Sequence, residues 1–519
     1  MDLEADLGVD SIKRVEILSA VRKAAPHLPD VAARDLAALR TLGEVIGRLE
    51  TATTTPPLGA VPAADVVGAD PAAGVAPVPR RASGIAPLSR RAVARVAHPR
   101  PGVATSGLRD CRRLVVVDDG DGVAAAVAAA LTAHGRPAEV VDGPDGAGGA
   151  DGLVWLPSTS TDAVAQARDA VRYARAVAPT ARLFVTVQRT GGAFDGYGPS
   201  AGAVALARTA AHEWPEATVR ALDVADGDVA GAIVDELLYG GDTLEVGCGA
   251  ERCTLVDVDA EVDGDAPSLL RDGDVVLATG GARGVTATAL RGLAAQARRE
   301  GKTLRVAVVG RSVLVDERDV VRAGADDATL KRILLAEHRR AGREVTPAAL
   351  GAEVGRILAS REIRATVAAL GEATYLTADV TDRDALARAV RDAEEALGPI
   401  AVVVHGAGVL ADRAIADKTD AQVERVLATK VRGFEALLAA TAHAPVRAVF
   451  VFSSVAARHG NAGQCDYAMA NEIVDRGGGA RARGGAPPGG GGGGPSLGTT
   501  FTPSLPDKSS EKTQERGVG

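Results

Sequence analysis

Short, wholly apolar runs alternate with helical stretches along most of this 519-residue chain. Leu114-Val-Val-Val-Asp118, Leu153-Val-Trp-Leu-Pro157 and Leu183-Phe-Val-Thr-Val187 have the length and continuous apolarity of strands buried on both faces. Residues 122–134, 161–178 and 201–213 fill the gaps with helical spacing. The alternation resumes at Asp274, with apolar runs near 275–279, 304–310, 375–380, 402–405 and 448–452. Strands separated by helices predict parallel sheets with right-handed crossovers, and so an α/β fold in two successive units.

The ends and one internal stretch break this pattern. Residues 1–50 read as a separate helical segment: an acidic opening leads to Asp10 and Ser11, either a sound N-cap, and Ile12, Val15 and Leu18 recur at helical spacing. Residues 51–110 carry Thr-Thr-Thr-Pro-Pro and repeated Ala-Pro and Val-Pro pairs, the composition of a linker. Residues 313–370 exceed a simple crossover and read as solvated amphipathic helices. Residues 476–519 turn to Gly, Arg and Pro and then to a polar tail, so disorder is expected there.

Composition narrows the function. The chain is 46% hydrophobic with a formal charge of −8, and no Lys/Arg stripe interleaves with aromatics, which argues against nucleic acid as a partner. No apolar run reaches the ~18 residues of a membrane span. The four cysteines show no Cys-x-x-Cys pairing, which indicates neither a zinc site nor a disulfide framework and fits a reducing cytoplasm.

Two clusters carry chemistry. Val275-Val-Leu-Ala-Thr-Gly-Gly-Ala-Arg-Gly-Val-Thr286 is a strand, a Gly-rich turn and a helix start. There Thr279, Gly280, Gly281, Arg283, Gly284 and Val285 bring backbone amides and a helix N-terminus to a pyrophosphate. The corresponding turn of the first unit, Val117-Asp-Asp-Gly-Asp-Gly122, is acidic and makes a poor phosphate cradle. The second cluster is Ser454 at the end of the strand 448–452, followed by Tyr467 and Asn471, which share a helix face. A hydroxyl and a phenol so placed suit proton donation to a carbonyl. Tyrosine ionises near pH ~10, so a nearby cation is needed, and Lys430 is the candidate.

These residues resemble the ketoreductase branch of the short-chain dehydrogenase/reductases. Most of that family carries Tyr-x-x-x-Lys with an Asn on the preceding helix; here Asn471 and Lys430 exchange those places, as in the ketoreductase domains of polyketide and fatty acid synthases. The resemblance implies two Rossmann-like, doubly wound parallel-sheet subdomains. Residues 111–258 would be structural, as Ala207-Arg-Thr-Ala-Ala-His-Glu-Trp-Pro215 suggests, and 259–475 catalytic. It places Arg311 and Ser312 where a cation accommodates the 2′-phosphate of NADPH. Asp379 and Val380 would lie beside the adenine, and Gly406, Ala407 and Gly408 would line the nicotinamide side, in His405-Gly-Ala-Gly408 where the family has Asn-Asn-Ala-Gly. Thr286 replaces the third glycine of the family's Thr-Gly-x-x-x-Gly-x-Gly and is expected to alter the loop.

Leu7-Gly-Val-Asp-Ser-Ile12 resembles the acyl carrier protein signature. That implies a partial all-α carrier over 1–50, with 4′-phosphopantetheine on Ser11 attached by a phosphopantetheinyl transferase. The implied activity is NADPH-dependent reduction of a 3-oxoacyl thioester held on a carrier, with other synthase domains as partners. Leu410-Ala-Asp412 partly resembles one stereochemical fingerprint, and His459 stands where the other class has Trp. The carrier lacks its first helix and the ketoreductase its last elements, so the alternative is a truncated, inactive synthase remnant serving at most as carrier or scaffold.

Overall fold

The computed structural model describes residues 90–482 and 497–501, apart from 159, 161, 195, 261–267 and 318–325. The readings for residues 1–50, Ser11 and residues 51–89 lie outside the described residues. So do 483–496 and 502–519 of the tail. The described chain divides into two compact units, residues 314–361 and the rest. Among the described residues no helix is long and apolar enough to cross a membrane.

The first sheet has eight strands: β1 (Arg90–Ala97), β2 (Leu114–Val117), β3 (Ala138–Val141), β4 (Gly152–Trp155), β5 (Leu183–Gln188), β6 (Thr218–Val224), β7 (Glu245–Cys248) and β8 (Arg252–Ala260). Their order is β1-β8-β7-β6-β5-β4-β2-β3. Pairing is parallel except at the edge, where β8 runs antiparallel to both β7 and β1. Helices α1 (Ser106–Asp110), α2 (Val123–Ala133), α3 (Ala163–Val177), α4 (Ala203–Glu213) and α5 (Val229–Tyr239) connect them. β2, β4, β5, α2, α3 and α4 form where the apolar runs and helical spacing predict them. β1 and α1 fall inside the stretch expected to be linker. β1 is an edge strand with Val93 and Val96 exposed, so Arg and small apolar residues suffice for it and no continuous apolar run marks it.

The acidic turn after β2 is closed by its own side chain. The Asp119 carboxylate accepts from the amides of Val123 and Ala124, filling the α2 N-terminus with the chain's own anion. Trp214 packs edge-on against Phe184, with ring centroids 5.3 Å apart, in keeping with a packing role.

The second sheet has six parallel strands: β9 (Val275–Thr279), β10 (Arg305–Gly310), β11 (Glu372–Thr377), β12 (Ile400–His405), β13 (Ala448–Phe452) and β14 (Leu497–Phe501). The helices are α6 (Gly284–Arg299), α7 (Asp327–Arg340), α8 (Pro347–Leu370), α9 (Arg383–Leu397), α10 (Asp420–Leu427), α11 (Gly433–Ala440), α12 (Val455–His459) and α13 (Cys465–Ala482). Strand order β11-β10-β9-β12-β13-β14 reverses direction between β9 and β12. In such a Rossmann-type sheet a ligand binds at that switch, beyond the carboxyl ends of the strands.

The tail departs from the expected disorder. α13 continues to Ala482, and β14 pairs with β13 from Ala448↔Leu497 to Phe452↔Phe501. Glycine weakens a helix, yet a Cβ at Gly477 would stand 3.4 Å from the Tyr197 ring, so the small residue lets the helix pack closely. Leu-Gly-Thr-Thr-Phe is short and β-prone, and the low-complexity residues around it hide it from periodicity.

Within this larger unit the two sheets share one hydrophobic core and a set of ion pairs. Arg208 on α4, 2% exposed, binds Glu245 of β7 at 2.7 Å and Glu472 of α13 at 3.4 Å. Arg172 and Arg175 of α3 bind Asp420 of α10. Glu213 accepts from the amides of Ile415 and Gly463. The first half thus braces the helices that carry Lys430 and Tyr467. In the smaller unit, Leu330 and Leu334 of α7 pack on Leu350, Val354 and Ile357 of α8, a pairing of two helices where the sequence predicts solvated amphipathic ones.

Candidate active site

The Gly-rich turn lies at the switch between β9 and β12. Gly280 has φ +70°, and a Cβ there would sit 2.7 Å from the Ala407 amide nitrogen, so only glycine permits this approach of the two strand ends. Gly281 is enclosed by Leu290 and Ala278, whereas Gly284, with φ +62°, faces open space at the start of α6. Thr286 is buried, and a Cβ on Gly406 would collide with its Oγ1 and fall 2.6 Å from its Cγ2. The Thr286 side chain therefore occupies space that Gly406 leaves, and the departure from the glycine pattern is accommodated there.

Arg283 and Val285 are exposed. The Arg283 Nε donates to Glu362 Oε2 at 2.8 Å, and the Gly284 amide donates to Glu362 Oε1 at 3.2 Å. At the ends of β10 and β11, Arg311 lies 3.9 Å from Asp379, and the Ser312 carbonyl accepts from the Tyr375 hydroxyl at 2.8 Å. Val380 is buried against Gly433. Ala407 is buried and Gly408 exposed at the β12 end. A helix N-terminus now held by the Glu362 carboxylate and two arginines with half-exposed side chains fit a dinucleotide phosphate that takes the carboxylate's place.

Lys430 sits in a π-helical turn, Ala428–Arg432, between α10 and α11; such turns often mark functional positions. Its ammonium donates to the carbonyl of Phe452 at the end of β13. Burial brings its pKa down to about 8, and the charge of Asp475 opposes that shift. Ser454 caps α12 by accepting from the Ala456 amide at 3.2 Å, which leaves its O–H free to donate elsewhere. Tyr467 stands half-buried in the first turn of α13, and one turn on Asn471 Nδ2 donates to the Tyr467 carbonyl at 2.8 Å. Lys430 is thus bonded to the strand end that leads to Ser454, and Asn471 to the Tyr467 backbone one helical turn before it.

The sequence marks His405 only as a departure from a family motif, and Lys418, Asp466, Ser453 and Asp475 not at all. His405 is fully buried and links the two clusters: its Nε2 donates to the Lys430 carbonyl at 3.0 Å, so its Nδ1 accepts from Thr279 Oγ1 at 2.8 Å. Lys418 Nζ, also buried, binds Asp466 at 2.8 Å and the carbonyls of Ala411 and Gly463, pinning the start of α13. Ser453 Oγ donates to Asp475 Oδ2 at 2.6 Å. The spacing Tyr467, Asn471, Asp475 repeats every four residues on one helix face, a signal that could have flagged Asp475.

Residues 275–489 match the family model described as the KR domain. The match falls within the half of the chain that carries the Gly-rich turn, Lys430, Ser454 and Tyr467. A polyunsaturated fatty acid synthase polypeptide of Thraustochytrium sp. is 35% identical over 333 residues, 60% of this chain and 12% of that protein. A phenolphthiocerol/phthiocerol polyketide synthase polypeptide of Mycobacterium tuberculosis is 42% identical over 125 residues, 23% of this chain and 6% of that protein. The chain therefore spans a small fraction of these relatives. Among solved structures, an A-type ketoreductase from a modular polyketide synthase superposes with TM-score 0.52 at 22% identity, covering 79% of this chain and 82% of that one. The first ketoreductase of the tylosin polyketide synthase gives 0.53 at 21% identity, covering 76% and 79%. These two likenesses concern the fold.

Proposed function

We propose that this chain reduces a carrier-bound 3-oxoacyl thioester to the 3-hydroxyacyl thioester with NADPH. The observation that carries the reading is the Lys430 ammonium seated on the Phe452 carbonyl, two residues before Ser454, with Asn471 bonded to Tyr467 on α13. When bound, NADPH supplies the hydride. Arg283 and Arg311 would hold its phosphates, and the 279–286 turn would present amides to the pyrophosphate.

The chain's own groups do the rest. Tyr467 donates its phenolic proton to the oxygen as the carbonyl becomes an alkoxide, and the free Ser454 O–H donates to the same oxygen. The Lys430 charge favours the tyrosinate left behind. Asn471 holds the turn of α13 that carries the phenol. A phosphopantetheine arm, on Ser11 or on another carrier, would deliver the acyl group from neighbouring synthase domains.

The test is NADPH oxidation by the purified chain with a 3-oxoacyl pantetheine thioester. Turnover that disappears in Tyr467→Phe, with NADPH binding retained, supports the reading. Undiminished turnover in that variant overturns the role of Tyr467, and no turnover in the unaltered chain overturns the activity itself.

A further inference from the structure

Lys430 and Asp475 grip adjacent residues at the end of β13. The ammonium holds the Phe452 carbonyl, and the carboxylate holds the Ser453 hydroxyl. Among the described residues no carboxylate forms a direct ion pair with Lys430, so any counter-charge acts through space. The neighbouring acid on α13, Glu472, is already engaged by Arg476 at 2.8 Å and by Arg208 at 3.4 Å. Arg458 and His459 of α12 are turned to Glu245 and Asp257. β13 and β14 carry no ionisable side chain. Asp475 Oδ1 is shut from solvent and accepts no hydrogen bond, although the residue as a whole is only partly buried. A carboxylate held by one oxygen, with the other unpaired, is the negative charge left to Lys430.

We propose that Asp475 is a positioning residue: anchored by Ser453, its carboxylate is the counter-charge that keeps the Lys430 ammonium protonated in the catalytic group. The proposal rests on the ketoreductase reading above. The electrostatics agree in sign. Burial pulls Lys430 down to about 8, and Asp475 is the charge that resists this. Burial pushes Asp475 up to about 7, opposed by the Ser453 hydrogen bond, with Glu472 adding to the rise and Lys430 and Arg476 working against it. Removing the carboxylate removes the resistance, so the lysine loses its proton at lower pH. An ammonium needed for turnover then fails earlier on the alkaline side, while at lower pH it stays charged and the rate recovers.

The test titrates lysine 13Cε resonances in the full chain, alongside the pH profile of kcat/KM for NADPH oxidation. Asp475→Asn keeps the shape and the Ser453 bond but drops the charge. It should lower the Lys430 midpoint by about one unit, and move the alkaline limb with it. The rate loss should be about five-fold near pH 8 and small near pH 6. An unchanged Lys430 midpoint, with the same loss at every pH, would mean Asp475 is merely structural and overturns the proposal. Should the variant not fold, the unaltered chain still decides: its Lys430 resonance must show a second inflection as Asp475 ionises, and a single inflection refutes the coupling. Absence of turnover in the unaltered chain would sink the ketoreductase reading, yet the titration would still answer for Asp475.

Discussion

Thr286 fills the volume that any side chain at position 406 would need, since a Cβ on Gly406 would collide with Thr286 Oγ1 and meet its Cγ2 at 2.6 Å. The pair sits where the cofactor turn meets the β12 end, so the two positions are expected to depend on each other. Gly406→Asn alone overpacks the contact and should destabilise by about 1–3 kcal/mol while weakening NADPH binding. Thr286→Gly in the same chain should recover most of both losses. Binding by fluorescence and urea unfolding of the two single variants and the double would give the coupling energy, expected at roughly 0.5–3 kcal/mol. Additive losses would show that the two positions do not share the space.

Glu362 stands where a phosphate is expected, bridging Arg283 and the Gly284 amide at the N-terminus of α6. The Arg283 hydrogen bond holds its carboxyl below the usual range, so it is anionic at neutral pH. A cofactor phosphate using the same groups must displace it. Glu362→Gln should therefore tighten NADPH binding roughly two- to five-fold, given ~0.3–1 kcal/mol for an anion at a helix N-terminus, and the gain should shrink as salt is raised. Weaker binding instead would mean that Glu362 orients Arg283 for the cofactor.

What could be read from the chain alone follows burial and spacing. β2, β4 and β5 are continuous apolar runs because both faces are covered, and the candidate residues Ser454, Tyr467 and Asn471 stand out by a four-residue interval and a preceding strand. β1 and β14 escape notice because an edge strand is held by backbone bonds and needs no apolar period. Lys418, Asp466 and Asp475 look like ordinary surface charges, and only tertiary packing buries them. His405 reads as a departure at a strand end until the structure shows it bonded on both nitrogens. Thr286 reads as a steric fault until the missing side chain at 406 is set against it.

The bracing role of the first sheet is testable at Arg208, which holds Glu245 and Glu472 and also donates to the Ala457 carbonyl just after Ser454. Breaking a buried pair by removing one partner costs about 3–5 kcal/mol. Here Arg458 stays on Glu245 and Arg476 on Glu472, so Arg208→Met should fall at the lower end. The variant should also lose kcat more than NADPH affinity, because the loosened elements carry Ser454 and Tyr467 and not the Gly-rich turn. Equal losses in both would indicate general unfolding.

His405 should set part of the acid limit of this fold. Burial, with the Lys430 charge adding to it, depresses its pKa from 6.5 to about 3, against the Lys430 backbone bond. The folded chain thus keeps His405 neutral where the unfolded chain protonates it. Between those two values the unfolded state binds more protons, so stability is fully present above pH 6.5 and falls as the pH drops toward 3. From pH 6.5 to 5 this one group should account for about 2 kcal/mol. His405→Asn retains a donor for the Lys430 carbonyl and an acceptor for Thr279 but has no proton to take up. Its urea midpoint should accordingly fall less than that of the unaltered chain between pH 7 and pH 5. Parallel declines in the two proteins would assign that sensitivity to other groups; the Glu236 carboxylate, which burial alone would raise but which bonds to Arg252, Arg220 and Arg100 hold at about 2, acts only below its ordinary 4.5.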